Sequence, residues 1–232
     1  MIGLICALLG LGAILPFFGI EEALRIPIYG ALLGVVFLLC IFSVGKKNFT
    51  TKELTELAGL TALFAVFQLL PAPTYPPNVI RLDLAGVPWV MAFFMHGVYG
   101  ALLVAVSAFF VILPFSWGGG FVGAFSKFYA TIPMFLVPYL LLKATGKKIS
   151  ETKTALLCLV AAVVARGLLM SVINYYFAGP LFFHMPSNAI MGILPPAVLF
   201  LVNAIIGISD FAVAWFLVFR RKIGSVHASL KN

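Results

Sequence analysis

The sequence has 232 residues, of which 63% are hydrophobic and only 9% are charged, with a formal net charge of +8. A soluble globular domain carries about 25% charged residues and about 45–50% apolar ones, so this composition excludes an ordinary soluble domain. Apolar runs close to the ~20 residues that cross a bilayer recur along the chain. They lack period-2 alternation, so we expect helices and an all-α integral protein of the cell membrane that crosses it several times.

The hydropathy pattern predicts about eight helical segments. In chain order they cover residues 2–18, 27–45, 53–70, 84–96, 98–114, 122–143, 154–177 and 193–219. The first segment lacks the basic stretch of a signal peptide, so we expect it to be an uncleaved span. Thr50 and Glu53 fit a capping box that starts the third helix, and the prolines that follow Leu70 end it. The fourth segment is short for a full crossing.

Positive charges fall mainly in three stretches between or after the predicted spans. They are Lys46, Lys47 and Lys52, then Lys143, Lys147, Lys148 and Lys153, and finally Arg220, Arg221, Lys222 and Lys231. If all eight segments cross, these stretches share one side, and only Arg25 and Arg81 fall on the other. The positive-inside rule then places both termini in the cytoplasm. Membrane orientation therefore explains the net charge better than nucleic-acid binding does.

This topology brings three irregular segments together on the outer face, residues 71–83, 115–123 and 178–192. They are rich in proline, glycine and aromatic residues rather than in charge. The aromatic residues in or near them are Tyr75, Trp89, Trp117, Phe121, Phe182 and Phe183. Two interpretations stay open: a lid over an apolar ligand, or an aromatic belt at the lipid interface. For any single tryptophan the belt is the better interpretation.

Polar side chains inside spans are costly, so each needs a partner. Besides Lys127, Gln68 and His96, four such residues stand out. We expect Arg166 and Asp210 to lie deep in the bundle, where they can form an ion pair. Asn174 and Asn203 fall toward the outer half, where ligand binding and a helix–helix hydrogen bond are equally consistent with the sequence.

Motifs for catalysis or for a metal site are missing from the sequence. It contains no GxxxxGK[ST] loop for nucleotide hydrolysis. Its three histidines have no metal-ligand spacing, and its three cysteines are scattered through apolar segments. No residue is therefore a candidate nucleophile, although an enzyme stays open as an alternative at this point, and we predict neither a metal nor a cofactor.

Small residues also mark one face of the third predicted helix. Ala58 and Ala62 are one turn apart, and such a pair lets another helix approach closely. The approaching helix belongs either to this chain or to a partner subunit.

Several sequence features follow one another in a recognisable order along the chain. They are this AxxxA face, the loop that ends in Arg81-Leu82-Asp83-Leu84-Ala85-Gly86-Val87-Pro88, the turn at 117–120, the segment from Met170 to Pro180, and Asn203-Ala204-Ile205-Ile206-Gly207 on the last helix. Together they resemble the substrate-binding S components of energy-coupling factor (ECF) vitamin transporters, most closely the riboflavin-specific type. The resemblance covers about residues 53–222. It implies a six-helix membrane domain within residues 46–232, and residues 1–45 look like an added N-terminal transmembrane hairpin.

The resemblance implies a function and assigns roles to particular residues. Asn174 and Asn203 would bind the flavin ring system, and the loop from Pro77 to Asp83 would act as a gate. Ala58 and Ala62 would contact a shared transmembrane coupling subunit, which works with two ATPase subunits. The resemblance thus implies that this chain is not an enzyme and that ATP hydrolysis takes place on those partners.

One residue departs from the riboflavin-type pattern. That pattern reads Asn-x-x-Lys-Gly, and Ile206 stands in place of the lysine. Lys127, on a neighbouring helix, is a candidate replacement for the lost contact. This departure leaves open an S component for another small vitamin, such as pantothenate or a queuosine precursor. A non-transporting membrane scaffold of similar fold is a separate alternative.

Overall fold

The computed structural model describes residues 1–18, 21–74, 80–114 and 120–221, and this part of the chain is nearly all helical. The α-helices are α1 (Ile2–Ile14), α2 (Glu22–Gly45), α3 (Thr51–Leu69), α4 (Val87–Ile112), α5 (Gly120–Thr131), α6 (Pro133–Thr145), α7 (Thr152–Ile173), α8 (Gly179–Phe183), α9 (Ser187–Ile193) and α10 (Pro196–Trp215). Within these ranges the β pairing is one isolated antiparallel bridge between Thr74 and Arg81. The predicted all-α class is confirmed.

Five helical stretches are long and apolar enough to cross a bilayer. They are Leu24–Gly45, Val87–Ile112, Gly120–Thr145, Thr152–Phe183 and Pro196–Arg220. Helix α1 is shorter, and α3 carries charged residues in its first two turns. The predicted capping box starts α3: the Thr50 hydroxyl accepts from the Glu53 backbone N–H at 3.3 Å, and the Thr50 N–H donates to the Glu53 carboxylate at 2.8 Å. The chain is a multi-pass membrane protein.

Helix α4 folds back on itself at Gly97 instead of running straight. Gly97 has φ +74° and ψ −171°, a conformation that is essentially restricted to glycine. Trp89 and Phe109 would be ~30 Å apart in a straight helix, yet their rings lie 6.3 Å and 6.4 Å from the ring of Phe128. Residues 87–96 and 98–112 are therefore two antiparallel arms, which match the predicted fourth and fifth segments.

Other predicted segments are interrupted or extended. The sixth segment is two helices, α5 and α6, which meet at Ile132 just before Pro133. The predicted irregular segment 178–192 is wrong in part, because it contains α8 and most of α9. Trp89 is not part of a lid: it is fully buried, and its ring lies 5.7 Å from that of Phe64.

The N-terminal helices pack on the rest of the bundle through aromatic side chains. Helix α2 contacts α4 and the π-helical turn Asn174–Ala178. The Phe37 ring lies 4.6 Å from Phe109 and 5.0 Å from Phe128, and the Tyr129 hydroxyl donates to the Leu33 carbonyl. That residues 1–45 form a hairpin separate from the remaining domain stays a prediction.

The two ends of the bundle differ in charge. At one end, Trp215 Nε1 donates to the Ile149 carbonyl at 3.0 Å, and His96 Nε2 lies 2.9 Å from Glu56 Oε2. The loops with the clustered lysines belong to this end, which we call the basic end. At the opposite end, the end of α3, the second arm of α4, the start of α5 and the start of α10 meet around a cavity. The clustered lysines thus lie at one end of the bundle, as the positive-inside count predicts.

Candidate functional site

The cavity at the end opposite the basic end has a volume of about 470 Å³. This size falls within the ~300–1,000 Å³ of small-molecule sites. Its polar and charged lining residues are Gln68, Thr74, Arg81, Asp83, Ser126, Lys127, Arg166, Asn174 and Asn203. The remainder of the lining is mostly apolar, with Phe182 and Phe183 contributed by α8. An apolar cavity with a few convergent polar groups is the usual form of a binding site.

Asn174 and Asn203 enter the cavity from adjacent helices. Asn174 starts the π-helical turn after α7, and Asn203 lies in the second turn of α10. Each side-chain amide donates one hydrogen bond to its own helix, to the Met170 carbonyl at 2.8 Å and the Leu199 carbonyl at 2.9 Å. Neither side chain bonds another helix in the described chain. The remaining N–H and the carbonyl oxygen of each amide stay available to a ligand.

A charged cluster connects the loop before α4 to α5. Lys127 donates to Asp83 Oδ1, and Arg81 Nε lies 3.6 Å from Asp83 Oδ2. Arg81 also donates to the carbonyls of Gln68 and Leu70, at 2.9 Å and 2.5 Å, so it caps the C-terminal end of α3, where cations are favourable. Lys127 thus lines the cavity, but its ammonium group is paired with Asp83.

Beneath this cluster lies the predicted ion pair. Arg166 Nη1 donates to Asp210 Oδ2 at 3.1 Å, and the two side chains are 2% and 0% exposed. The same carboxylate packs against Gly86, where an added Cβ would lie 2.1 Å from Asp210 Oδ2. Arg166 also reaches the cavity lining. The pair therefore fixes the start of α4 against α7 and α10 at the bottom of the site.

Gln68 is a cavity residue for which the sequence predicts no function. It lies in the last turn of α3, is 5% exposed and lines the cavity. Its side chain makes no hydrogen bond to the described residues, and its carbonyl oxygen is buried without a partner. The sequence signal was present, since a glutamine interrupts an apolar run, but it does not distinguish a ligand contact from a helix–helix bond.

The remaining predicted site residues lie at different places. Ile206 lines the cavity and is 4% exposed, so an apolar contact stands where the riboflavin-type pattern has a lysine. Pro77 lies outside the described residues. Ala58 and Ala62 are exposed on α3 and are not among the cavity residues, so their face is open to a partner.

Comparison with known proteins yields two relatives. The chain is 28% identical over 143 residues to the riboflavin transporter RibU of Staphylococcus aureus, across 60% of this chain and 72% of that protein. A solved structure described as the S component of a bacterial ECF transporter superposes with a TM-score of 0.60 at 27% identity, across 74% of this chain and 95% of the other. No family model matches the sequence. Both relatives confirm the predicted resemblance.

Proposed function

Because this chain is related to the S components of ECF transporters and shares their fold, we propose that it captures riboflavin or a related flavin. The cargo would bind in the cavity at the end opposite the basic end, which faces outward if the basic loops are cytoplasmic. The chain would then deliver it to a transmembrane coupling subunit with two ATPase subunits. ATP hydrolysis belongs to those partners in this proposal.

The observation that carries the proposal is that Asn174 and Asn203 both line one mostly apolar cavity. Two amides on helices that pack against each other offer donors and acceptors to the same cavity, which suits the edge of a planar heteroaromatic ring. The apolar lining suits the ring faces. That RibU is named a riboflavin transporter supports the flavin as the first candidate.

Titration with riboflavin tests this proposal directly. We expect the purified protein in detergent to quench riboflavin fluorescence and to melt at a higher temperature with riboflavin, because a ligand that binds only the folded state stabilises it. Replacing Asn174 and Asn203 together by leucine should abolish both effects while the protein still folds. A wild-type protein that gives neither quenching nor stabilisation would show that the cargo is not riboflavin.

The cavity position of Ile206 favours a second candidate, an S component for a different small vitamin. An isoleucine offers no polar contact where the riboflavin-type pattern has a lysine, and Lys127 is held by Asp83. A thermal-shift panel with pantothenate, a queuosine precursor and riboflavin distinguishes the two candidates. A membrane scaffold, by contrast, would respond to none of these compounds.

A further inference from the structure

The unpartnered amide of Gln68 is the most unusual polar group in the cavity. Helix α3 is apolar from Leu60 to Leu69 apart from this residue and Thr61, whose hydroxyl donates to the Leu57 carbonyl at 3.0 Å within its own helix. Gln68 is 5% exposed, and its side chain has no such partner within the helix. A buried carbonyl oxygen without a hydrogen bond, such as that of Gln68, destabilises the empty protein.

Gln68 lies on a different wall of the cavity from Asn174 and Asn203. Helix α3 packs against α4, whereas α7 and α10, which position the two asparagines, pack against each other. A ligand that binds the asparagines with a ring edge can reach α3 with its other end, because both walls line the same cavity. The structure thus offers two separate polar contacts, one for each end of an elongated cargo.

The chemistry of an amide restricts what the second end of the cargo can be. Gln68 can present either its carbonyl or its NH₂ group to the cavity by rotation about its last torsion. A hydroxyl group both donates and accepts, so it satisfies the amide in either orientation. Arg81 donates to the Gln68 backbone carbonyl and is ion-paired with Asp83, so the neighbouring cation does not require an anionic cargo.

We propose that Gln68 is a specificity-determining residue that binds a hydroxyl group on the arm of the cargo directed away from Asn174 and Asn203. The substrate class is then a heteroaromatic ring that carries a hydroxylated side chain, rather than a bare ring. This inference rests on the proposed flavin-binding function and adds the contact that recognises the side chain.

The test compares two ligands that differ only in that arm. Riboflavin carries a sugar-alcohol chain, and lumiflavin has the same ring system with a methyl group in its place. Gln68→Met keeps the length of the side chain and removes its hydrogen bonding. Losing one such bond lowers affinity about 5- to 30-fold, so we expect that loss for riboflavin and a change of at most about twofold for lumiflavin. Thr61→Val is the matched control, because it removes a polar group of α3 outside the cavity.

A second measurement separates binding from folding. Without ligand, Gln68→Met should melt at the same temperature as the wild type or higher, because it removes a buried polar group that has no partner. An equal loss of affinity for both ligands, or no loss for riboflavin, would overturn the proposal. If the wild type binds neither flavin, the proposed function fails and this inference fails with it. If the wild type binds both flavins but Gln68→Met does not lose affinity selectively for riboflavin, the proposed function survives and the assignment of Gln68 is wrong.

Discussion

The buried ion pair beneath the cavity allows a quantitative prediction. In Asp210→Leu, Arg166 keeps its charge at 2% exposure and loses the carboxylate that lies 3.1 Å away. Removing one partner of a buried pair costs about 3–5 kcal/mol. In a chain of this size each kcal/mol lowers the melting temperature by about 2–4 °C. We therefore expect Asp210→Leu to melt about 6–20 °C below the wild type.

The matched control removes both charges. Replacing a buried pair by apolar residues of similar volume is often neutral or stabilising, so Arg166→Met combined with Asp210→Leu should recover most of the lost stability. Thermal unfolding of the purified protein in detergent, followed by tryptophan fluorescence, measures all three forms. A single variant as stable as the wild type, or a double variant less stable than the single one, would refute the view that Arg166 depends on Asp210 for its charge compensation.

Two further predictions concern the docking face and the reversal of α4. Ala58→Trp should leave riboflavin binding intact and abolish co-purification with the coupling subunit, because a bulky side chain prevents close helix approach. Leu156→Trp, at an exposed position of α7, is the control. Retained co-purification of Ala58→Trp would contradict the docking role. Gly97→Ala should cost about 1–3 kcal/mol, because an L-residue is strained at φ +74°. Gly34→Ala, inside α2 and with no atom within 4 Å of the added Cβ, should melt at the wild-type temperature or slightly above it, because alanine favours a helix over glycine. Equal melting temperatures for the two glycine variants would mean that Gly97 does not adopt this conformation.

The features of the fold that could be predicted follow from local chemistry. The capping box at Thr50 and Glu53 is visible in four consecutive residues, and it starts α3 as expected. The Arg166–Asp210 pair follows from the cost of an isolated charge in lipid, because few partners exist inside the spans. By contrast, α8 and α9 depend on tertiary contacts, such as the 2.6 Å bond from the Tyr175 hydroxyl to the Leu194 carbonyl, and no short sequence pattern reveals them.

The candidate site was predictable in part. The sequence left open whether Asn174 and Asn203 bind a ligand or bridge helices, and the structure shows the donated hydrogen bonds returning to their own helices. The contact between Lys127 and Asp83 joins residues 44 positions apart, so only the folded chain brings them together. Pro77 and its assigned part in a gating loop stay a prediction.

The length of the helical stretch from Val87 to Ile112 and the distribution of charge along the chain indicate different topologies. By length and apolar character this stretch is one ordinary span of 26 residues. A straight span, however, would place the lysines after α2 on one side of the membrane and those after α6 on the other. The positive-inside rule disfavours that arrangement, and a reversal within the apolar run satisfies it. Gly97 supplies the reversal, because glycine alone adopts its backbone angles without strain. The charges outside the membrane thus support the division of this apolar run into the predicted fourth and fifth segments.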